Sequence, residues 1–166
     1  MGKPDKELRE QIFGRGIQAT AQGVRSVLKS YQTHSRILSD LEEELREVRL
    51  SISAKMNAGK SLDVDGQPRG TVIGNPTAQT VELLEHERNL ERHILALIER
   101  HTEQTNVALK LLFYVGGLHE DLIRRFYVSG EKIPPAYDTK SHLSRRRIQQ
   151  ILAEGIDRIV DSLNAE

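Results

Sequence analysis

Between Val24 and Ile52 the apolar residues fall on two columns of a heptad. One column reads Val24, Tyr31, Leu38, Leu45 and Ile52; the other reads Val27, His34, Leu41 and Val48, with His34 the single polar exception. A seam this narrow and regular predicts a long helix of coiled-coil type, roughly 43 Å from end to end at 1.5 Å per residue. Such a helix cannot bury its seam alone and needs a second helix, from the same chain or from a partner. The eight apolar positions Val24, Val27, Tyr31, Leu38, Leu41, Leu45, Val48 and Ile52 are therefore the candidate oligomerisation residues.

From Ser53 to Gly74 the helical period is lost, and Gly59, Gly66, Pro68, Gly70 and Gly74 punctuate the chain. Asn75-Pro76-Thr77 then supplies an N-cap and a first-turn proline. Leu83, Leu90, Ile94, Leu97, Ile98, Ala108 and Leu112 recur at three- and four-residue steps. They predict a second long helix from Pro76 to about Val115, with Thr105-Asn106 a candidate interruption. An antiparallel hairpin or an intermolecular bundle would bury both seams. The connection over 53–75 is long for a packed domain, and is expected to be mobile or to await a partner.

After Gly116-Gly117 the residues Leu118, Leu122, Ile123 and Phe126 predict a short amphipathic helix, stopped by Ser129-Gly130. Pro134-Pro135 can open another helix through about Ser141, since proline is tolerated in a first turn. Ser144 is a good N-cap for a last helix reaching about Leu163, with Ile148, Ile151, Leu152, Gly155, Ile159 and Leu163 as its buried stripe. The expected fold is all-α: a long helical hairpin or coiled coil followed by a small C-terminal helix-turn-helix domain. The expected domains are a basic N-terminal segment over 1–23, the hairpin over 24–115, and the helix-turn-helix domain over 116–166.

Composition narrows the class. The chain has 166 residues, no cysteine and no tryptophan, with 4% aromatic and 29% charged residues. Without cysteine, disulfide scaffolds, thiolate zinc sites and cysteine nucleophiles are excluded. No apolar run approaches the ~18–20 residues of a membrane span. The N-terminus lacks a signal-peptide core, and Lys6 stands where myristoylation needs Ser or Thr. A cytoplasmic location with no membrane partner is the expectation.

The formal net charge is zero, from 24 Lys+Arg and 24 Asp+Glu, but the charge is unevenly distributed. Residues 1–37 carry Lys3, Lys6, Arg9, Arg15, Arg25, Lys29 and Arg36 against Asp5, Glu7 and Glu10, whereas 38–50 and 82–104 are net acidic. Between Thr139 and Ala153 stand Lys140, Arg145, Arg146 and Arg147 with no acid. A local basic strip on a neutral protein can still bind phosphate, because only charges within a Debye length of about 10 Å act strongly. In the arrangement predicted for 134–163, the N-terminal end of the last helix would enter a DNA major groove. Arg can pair bidentately with guanine and Gln with adenine. With Ile148 and Ile151 turned inward, Arg145, Arg146, Gln149 and Gln150 are left outside. The candidate DNA-binding residues are Lys140, Ser144, Arg145, Arg146, Arg147, Gln149 and Gln150, with Lys140, Arg145 and Arg147 on phosphate and Arg146, Gln149 and Gln150 on base edges. The bland alternative is an ordinary capped surface helix with a basic first turn.

Three blocks carry a resemblance. They are Ser30-Tyr31-Gln32 leading into Leu38-Ser39-Asp40-Leu41-Glu42; the glycine-rich segment ending Gly74-Asn75-Pro76-Thr77; and Asp121-Leu122-Ile123-Arg124-Arg125-Phe126-Tyr127-Val128 followed by Leu143-Ser144-Arg145-Arg146-Arg147-Ile148. Together and in this order, across most of 27–163, they resemble the phage late-gene transcriptional regulators of the RinA/ArpU family, whose C-terminal part is similar to the promoter-reading helix-turn-helix of sigma factors. The resemblance implies a DNA-binding activator of phage or prophage late genes in a bacterial host cell, acting on double-stranded DNA as a homodimer, with host RNA polymerase a candidate partner. It also implies that the segment after Ser144 is the recognition helix. One departure stands out: Asp138 occupies the place where such a motif has a small Ala at the helix crossing, and Ser141 the place of its Leu.

Other signals are weaker. Ala58-Gly59-Lys60-Ser61 has Ala54 in place of the first glycine of a phosphate-binding loop, and Asp63-Val64-Asp65-Gly66 lacks the spacing of a calcium loop. His86, His93 and His101 share roughly one helical face but not the four-residue spacing of helical metal ligands. No metal, no cofactor and no enzymatic activity are expected. The alternatives to a regulator are a DNA-packaging recognition subunit of the small terminase type, and a coiled-coil adaptor that does not bind DNA.

Overall fold

The computed structural model describes residues 6–58 and 76–165. It is mostly helical, with two long helices and one two-stranded ribbon. The helices are α1 (Lys6–Phe13), α2 (Ala21–Ala58), α3 (Pro76–Leu111), α4 (Leu118–Ile123) and α5 (Arg145–Asn164). Strands β1 (Tyr137–Asp138) and β2 (Leu143–Ser144) lie between α4 and α5. Among the described residues no helix is long and apolar enough to cross a membrane.

The chain forms two compact units, one from residues within 1–36 and 102–166, the other from residues within 37–101. The expected boundaries after 23 and 115 are therefore corrected. The start of the first long helix and the end of the second belong with the C-terminal elements, together with α1, which the apolar pattern did not signal.

In the unit within 37–101, α2 and α3 run antiparallel. Leu41, Leu45 and Val48 are buried against Ile94, and Ile37, Ile52, Leu90, Leu97 and Ile98 pack around them. Ion pairs flank this seam: Arg49 Nε to Glu91 Oε1 at 2.7 Å, and Lys55 Nζ to Glu87 Oε1 at 2.5 Å, the latter oxygen also accepting from Ser51 Oγ at 2.7 Å. The lysine and serine together hold the Glu87 carboxyl below its ordinary pKa. Leu41, Leu45, Val48 and Ile52 are thus covered from within the chain, which corrects their assignment to oligomerisation. The expected glycine-rich connection is shorter than 53–75, because α2 continues to Ala58. Residues 59–75 lie outside the described residues, and with them the Gly-Lys-Ser segment, the Asp63–Gly66 segment and the cap at Asn75.

In the other unit the core gathers Leu8 and Ala19, Val24 and Leu28 of α2, Val107 and Leu111 of α3, Leu122 and Ile123 of α4, and the underside of α5. Val24 and Leu28 are fully buried, and Val27 and Tyr31 pack against the same cluster. Val24, Val27 and Tyr31 therefore also serve this chain's own core rather than a partner; Leu38 is half-buried. The segment before α2 is fastened by Asn164, whose Oδ1 accepts from Ala19 N at 2.8 Å and whose Nδ2 donates to Ala19 O at 3.0 Å.

Helix α3 is unbroken at Thr105, whose hydroxyl donates to Thr102 O at 2.8 Å. It tightens into a 3-10 turn over Leu112–Tyr114, and Gly117, at φ 57°, reverses the chain into α4, a conformation in which a side chain would be strained. After α4 one widened turn, Arg124–Val128, closes with Ser129 N donating to Arg124 O at 2.8 Å. The long α5 then lays Ile148, Ile151, Leu152, Gly155, Ile159 and Leu163 into the core, the stripe that its three- and four-residue spacing predicts, with Ile156 buried beside them.

Candidate nucleic-acid interface

The expected helix over 134–141 is not formed. That segment instead leads into the β1–β2 ribbon, with Tyr137 paired to Ser144 and Asp138 to Leu143. This corrects the helix-turn-helix expectation at its first helix. The physical reason is Asp138. Its side chain is buried, and Arg125 NH1 donates to Asp138 Oδ2 at 2.8 Å while NH2 reaches Oδ1 at 3.3 Å. The same Oδ2 accepts from Ser141 N at 2.9 Å and from Ser141 Oγ at 2.5 Å. An Asp whose oxygens capture an amide three residues on stabilises a turn in preference to a helix. The turn is completed by His142 in the left-handed region, φ 56°, a conformation in which His is enriched among non-glycine residues.

Arg125 also reaches Glu131, NH2 to Oε2 at 2.9 Å, and Lys140 Nζ closes the group by donating to Glu131 Oε1 at 3.1 Å. The Arg125 guanidinium and then Ser141 hold the Asp138 carboxyl well below the usual carboxylate range; Arg125 and Lys140 lower Glu131 as well. The sequence pattern alone does not single out Arg125 or Glu131 as partners of Asp138. The trace available was Asp138 itself, an acid where a helix crossing wants a small apolar residue.

This ribbon places the start of α5. Arg145 N donates to Ala136 O at 2.8 Å. Ser144, in an extended conformation, caps the helix by accepting from Arg147 N at 3.3 Å, as expected of its position. Beneath, Ile148 is fully buried and Ile151 nearly so. Above, Arg145, Arg146, Arg147, Gln149 and Gln150 are all exposed.

These side chains divide into two groups. Gln150 Nε2 donates to Glu154 Oε1 at 2.9 Å, and Arg147 NH1 stands 3.9 Å from the same oxygen. Glu154 also faces His119 Nε2 at 3.4 Å, and its pKa is lowered first by that contact and then by Gln150 and Arg147. Lys140 is held by Glu131. Arg145, Arg146 and Gln149, by contrast, make no side-chain hydrogen bond or ion pair among the described residues. Two guanidinium groups and one amide therefore stand over an apolar underside with their donors unused. Such groups suit a phosphate backbone and the acceptor edges of bases.

Among the described residues no group of His, Asp and Glu is arranged to hold a metal ion, and His86, His93 and His101 do not converge on one. No family model, no curated protein and no solved structure matches the chain.

Proposed function

We propose that the protein is a sequence-specific DNA-binding transcriptional regulator, of the phage late-gene activator kind that the sequence resemblance implies. The observation that carries this reading is the unpaired set Arg145, Arg146 and Gln149 at the start of α5, in a molecule where most neighbouring cations are matched to a carboxylate. Arg146 and Gln149 lie one turn apart, and both are free to meet base edges while Arg145 meets phosphate. The helix N-terminus adds its partial positive charge at the same place.

The arrangement differs from a helix-turn-helix in what supports the reading helix. A short ribbon clamped by Arg125 takes the place of a crossing helix. With the heptad seam closed within the chain, one copy presents one reading helix. A two-fold symmetric site would need a second copy held through another surface.

The test is to enrich a binding sequence from a random duplex library and to compare affinities for enriched and random DNA. Arg146→Ala and Gln149→Ala should each weaken the enriched complex by ~1–3 kcal/mol and relax preference at one base pair, leaving random DNA nearly unaffected. Equal losses on both duplexes would remove the base-reading role. A ring of many copies in the DNA complex would point instead to packaging.

A further inference from the structure

Between Glu10 and Asp40 the chain has no carboxylate side chain, yet it carries Arg15, Arg25, Lys29 and Arg36. Three of these lie on α2. At 3.6 residues per turn Arg25, Lys29, Gln32 and Arg36 fall within an arc of about 60°, and they span about 16 Å along the helix axis. Lys29, Gln32 and Arg36 are exposed and Arg25 is half-exposed. The opposite side of the same stretch is the buried one, with Val24 and Leu28 in the core.

Several cations elsewhere in the chain are neutralised. Lys6, Arg46, Arg49, Lys55, Arg124, Arg125, Lys140 and Arg147 all have carboxylate partners. Arg25, Lys29 and Arg36 have none among the described residues, and Asp40, one turn beyond Arg36, makes no ion pair with it. An ordinary solvated helix face mixes signs at i and i+4. A face with one sign only, left unneutralised on a chain of zero net charge, concentrates positive potential where a polyanion can lie.

The face is also tied to the elements that place α5. Lys29 Nζ stands 5.8 Å from the Tyr127 ring centre. The Gln32 amide presses so closely on Gly130 that a Cβ there would overlap it. Gly130 precedes Glu131, which holds Arg125 and Lys140, and Arg125 holds Asp138 of the ribbon before Ser144. A continuous series of packed groups within one unit thus joins the α2 face to the start of α5.

We infer that the Arg25–Lys29–Arg36 face of α2 is a second DNA-contacting surface, binding the phosphate backbone without reading sequence while α5 meets the bases. The inference rests on the proposed DNA-binding reading and adds to it a surface that the helix-turn-helix pattern did not include. At 3.4 Å per nucleotide along one strand, the face matches the length of about five nucleotides of duplex.

The test uses the full chain, a fluorescein-labelled random duplex and the enriched duplex, titrated across a salt series. Each phosphate contact contributes about 0.9 to the slope of log K against log salt, so Arg25→Gln/Lys29→Gln/Arg36→Gln should lower the slope by about 2.7. Between about 50 and 200 mM salt the wild type should then lose about 40-fold more affinity than this variant. The loss should be the same on both duplexes, with the ratio between them unchanged. A control, Arg88→Gln/Arg92→Gln/Arg100→Gln on α3, removes the same charge and should leave the slope as it is. If the triple variant does not fold, as judged by circular dichroism, the single exchanges Lys29→Gln and Arg36→Gln replace it, each expected to lower the slope by about 0.9. A slope unchanged from wild type, or lowered equally by the control, overturns the inference while leaving the α5 reading standing. Wild-type protein that shows no salt-dependent binding to either duplex overturns the DNA-binding reading itself.

Discussion

At Gly155 α5 packs tightly against Ile123 and His119 of α4, which gives the packing a quantitative test. A Cβ built on Gly155 would stand 2.8 Å from Ile123 Cδ1 and 3.4 Å from His119 Cβ. Ile123 is fully buried, so its terminal methyl has little room to retreat. Two opposing effects follow for Gly155→Ala. Replacing a glycine inside a helix should stabilise by about 1 kcal/mol through backbone entropy, whereas forcing an extra carbon into a filled core costs ~1–3 kcal/mol. The net expectation is a loss of between about 0 and 2 kcal/mol. Ile123→Val removes the obstructing methyl and by itself should cost ~0.5–1.5 kcal/mol. In the double variant the overlap is gone and the helix gain remains, so the protein should sit within about 0.5 kcal/mol of wild type. The two exchanges should therefore be coupled by ~1–3 kcal/mol in the favourable direction, read from urea unfolding followed at 222 nm by circular dichroism for all four corners of the cycle. Additivity within about 0.5 kcal/mol would refute the close approach of α4 and α5. So would Gly155→Ala alone raising stability by the full helix gain.

Three further outcomes are expected. Ser144→Ala removes the cap that accepts from Arg147 N and should cost ~1 kcal/mol, whereas Ser144→Asp should keep most of it; thermal unfolding of both variants decides. Asn164→Ala leaves the buried Ala19 amide and carbonyl without partners and should cost ~1–3 kcal/mol, with faster hydrogen exchange at Ala19 as the local readout. Asp138 and Glu131 have folded-state pKa values lowered by Arg125. Their contribution to stability is therefore complete above the ordinary carboxylate pKa of about 4 and is lost as the pH falls through the lower folded values. Asp138→Asn should melt below wild type at neutral pH, and the gap should narrow under acid conditions; a gap independent of pH would show that the ion pair is not its source.

Much of the helical architecture was legible because long amphipathic stripes speak directly about burial. The seam from Leu41 to Ile52, its complement around Ile94, and the underside of α5 are all set by side-chain spacing on single helices. The start of α5 was legible for a similar reason: Ser144 acts on amides within its own first turn. What a stripe does not carry is the identity of the surface that covers it. Val24, Val27 and Tyr31 continue the heptad of Leu41 and Leu45, yet they enter a different core. The covering elements there are α1, the end of α3 and α5, the last two distant in sequence. Leu28 shows the change: it lies off both heptad columns and is fully buried. A strict heptad predicts one continuous partner; Leu28 signals a wider apolar face typical of globular packing. The ribbon was illegible because Pro134-Pro135 is compatible with a helix start, and because Asp138 is held by Arg125, thirteen residues away on another element.

The departure from the resembled family and the departure from the expected structure are one fact. Asp138 and Ser141 stand where a helix-turn-helix would place the small and the apolar residue of its crossing, and Asp138 accepts from both Ser141 and Arg125 to close the turn. A crossing helix is held by apolar contact along its length, whereas this ribbon is held by a buried carboxylate together with Leu143 against the core. The start of α5, with Arg145 and Arg146, is therefore tied to that ion pair as well as to the apolar underside of the helix, through Ala136 O on Arg145 N and through Ser144 at the end of β2. On the proposed DNA-binding reading, that dependence predicts an effect of Asp138 on affinity although its oxygens face inward: substitution there should weaken binding through the placement of α5, while Arg145 and Arg146 keep their full charge.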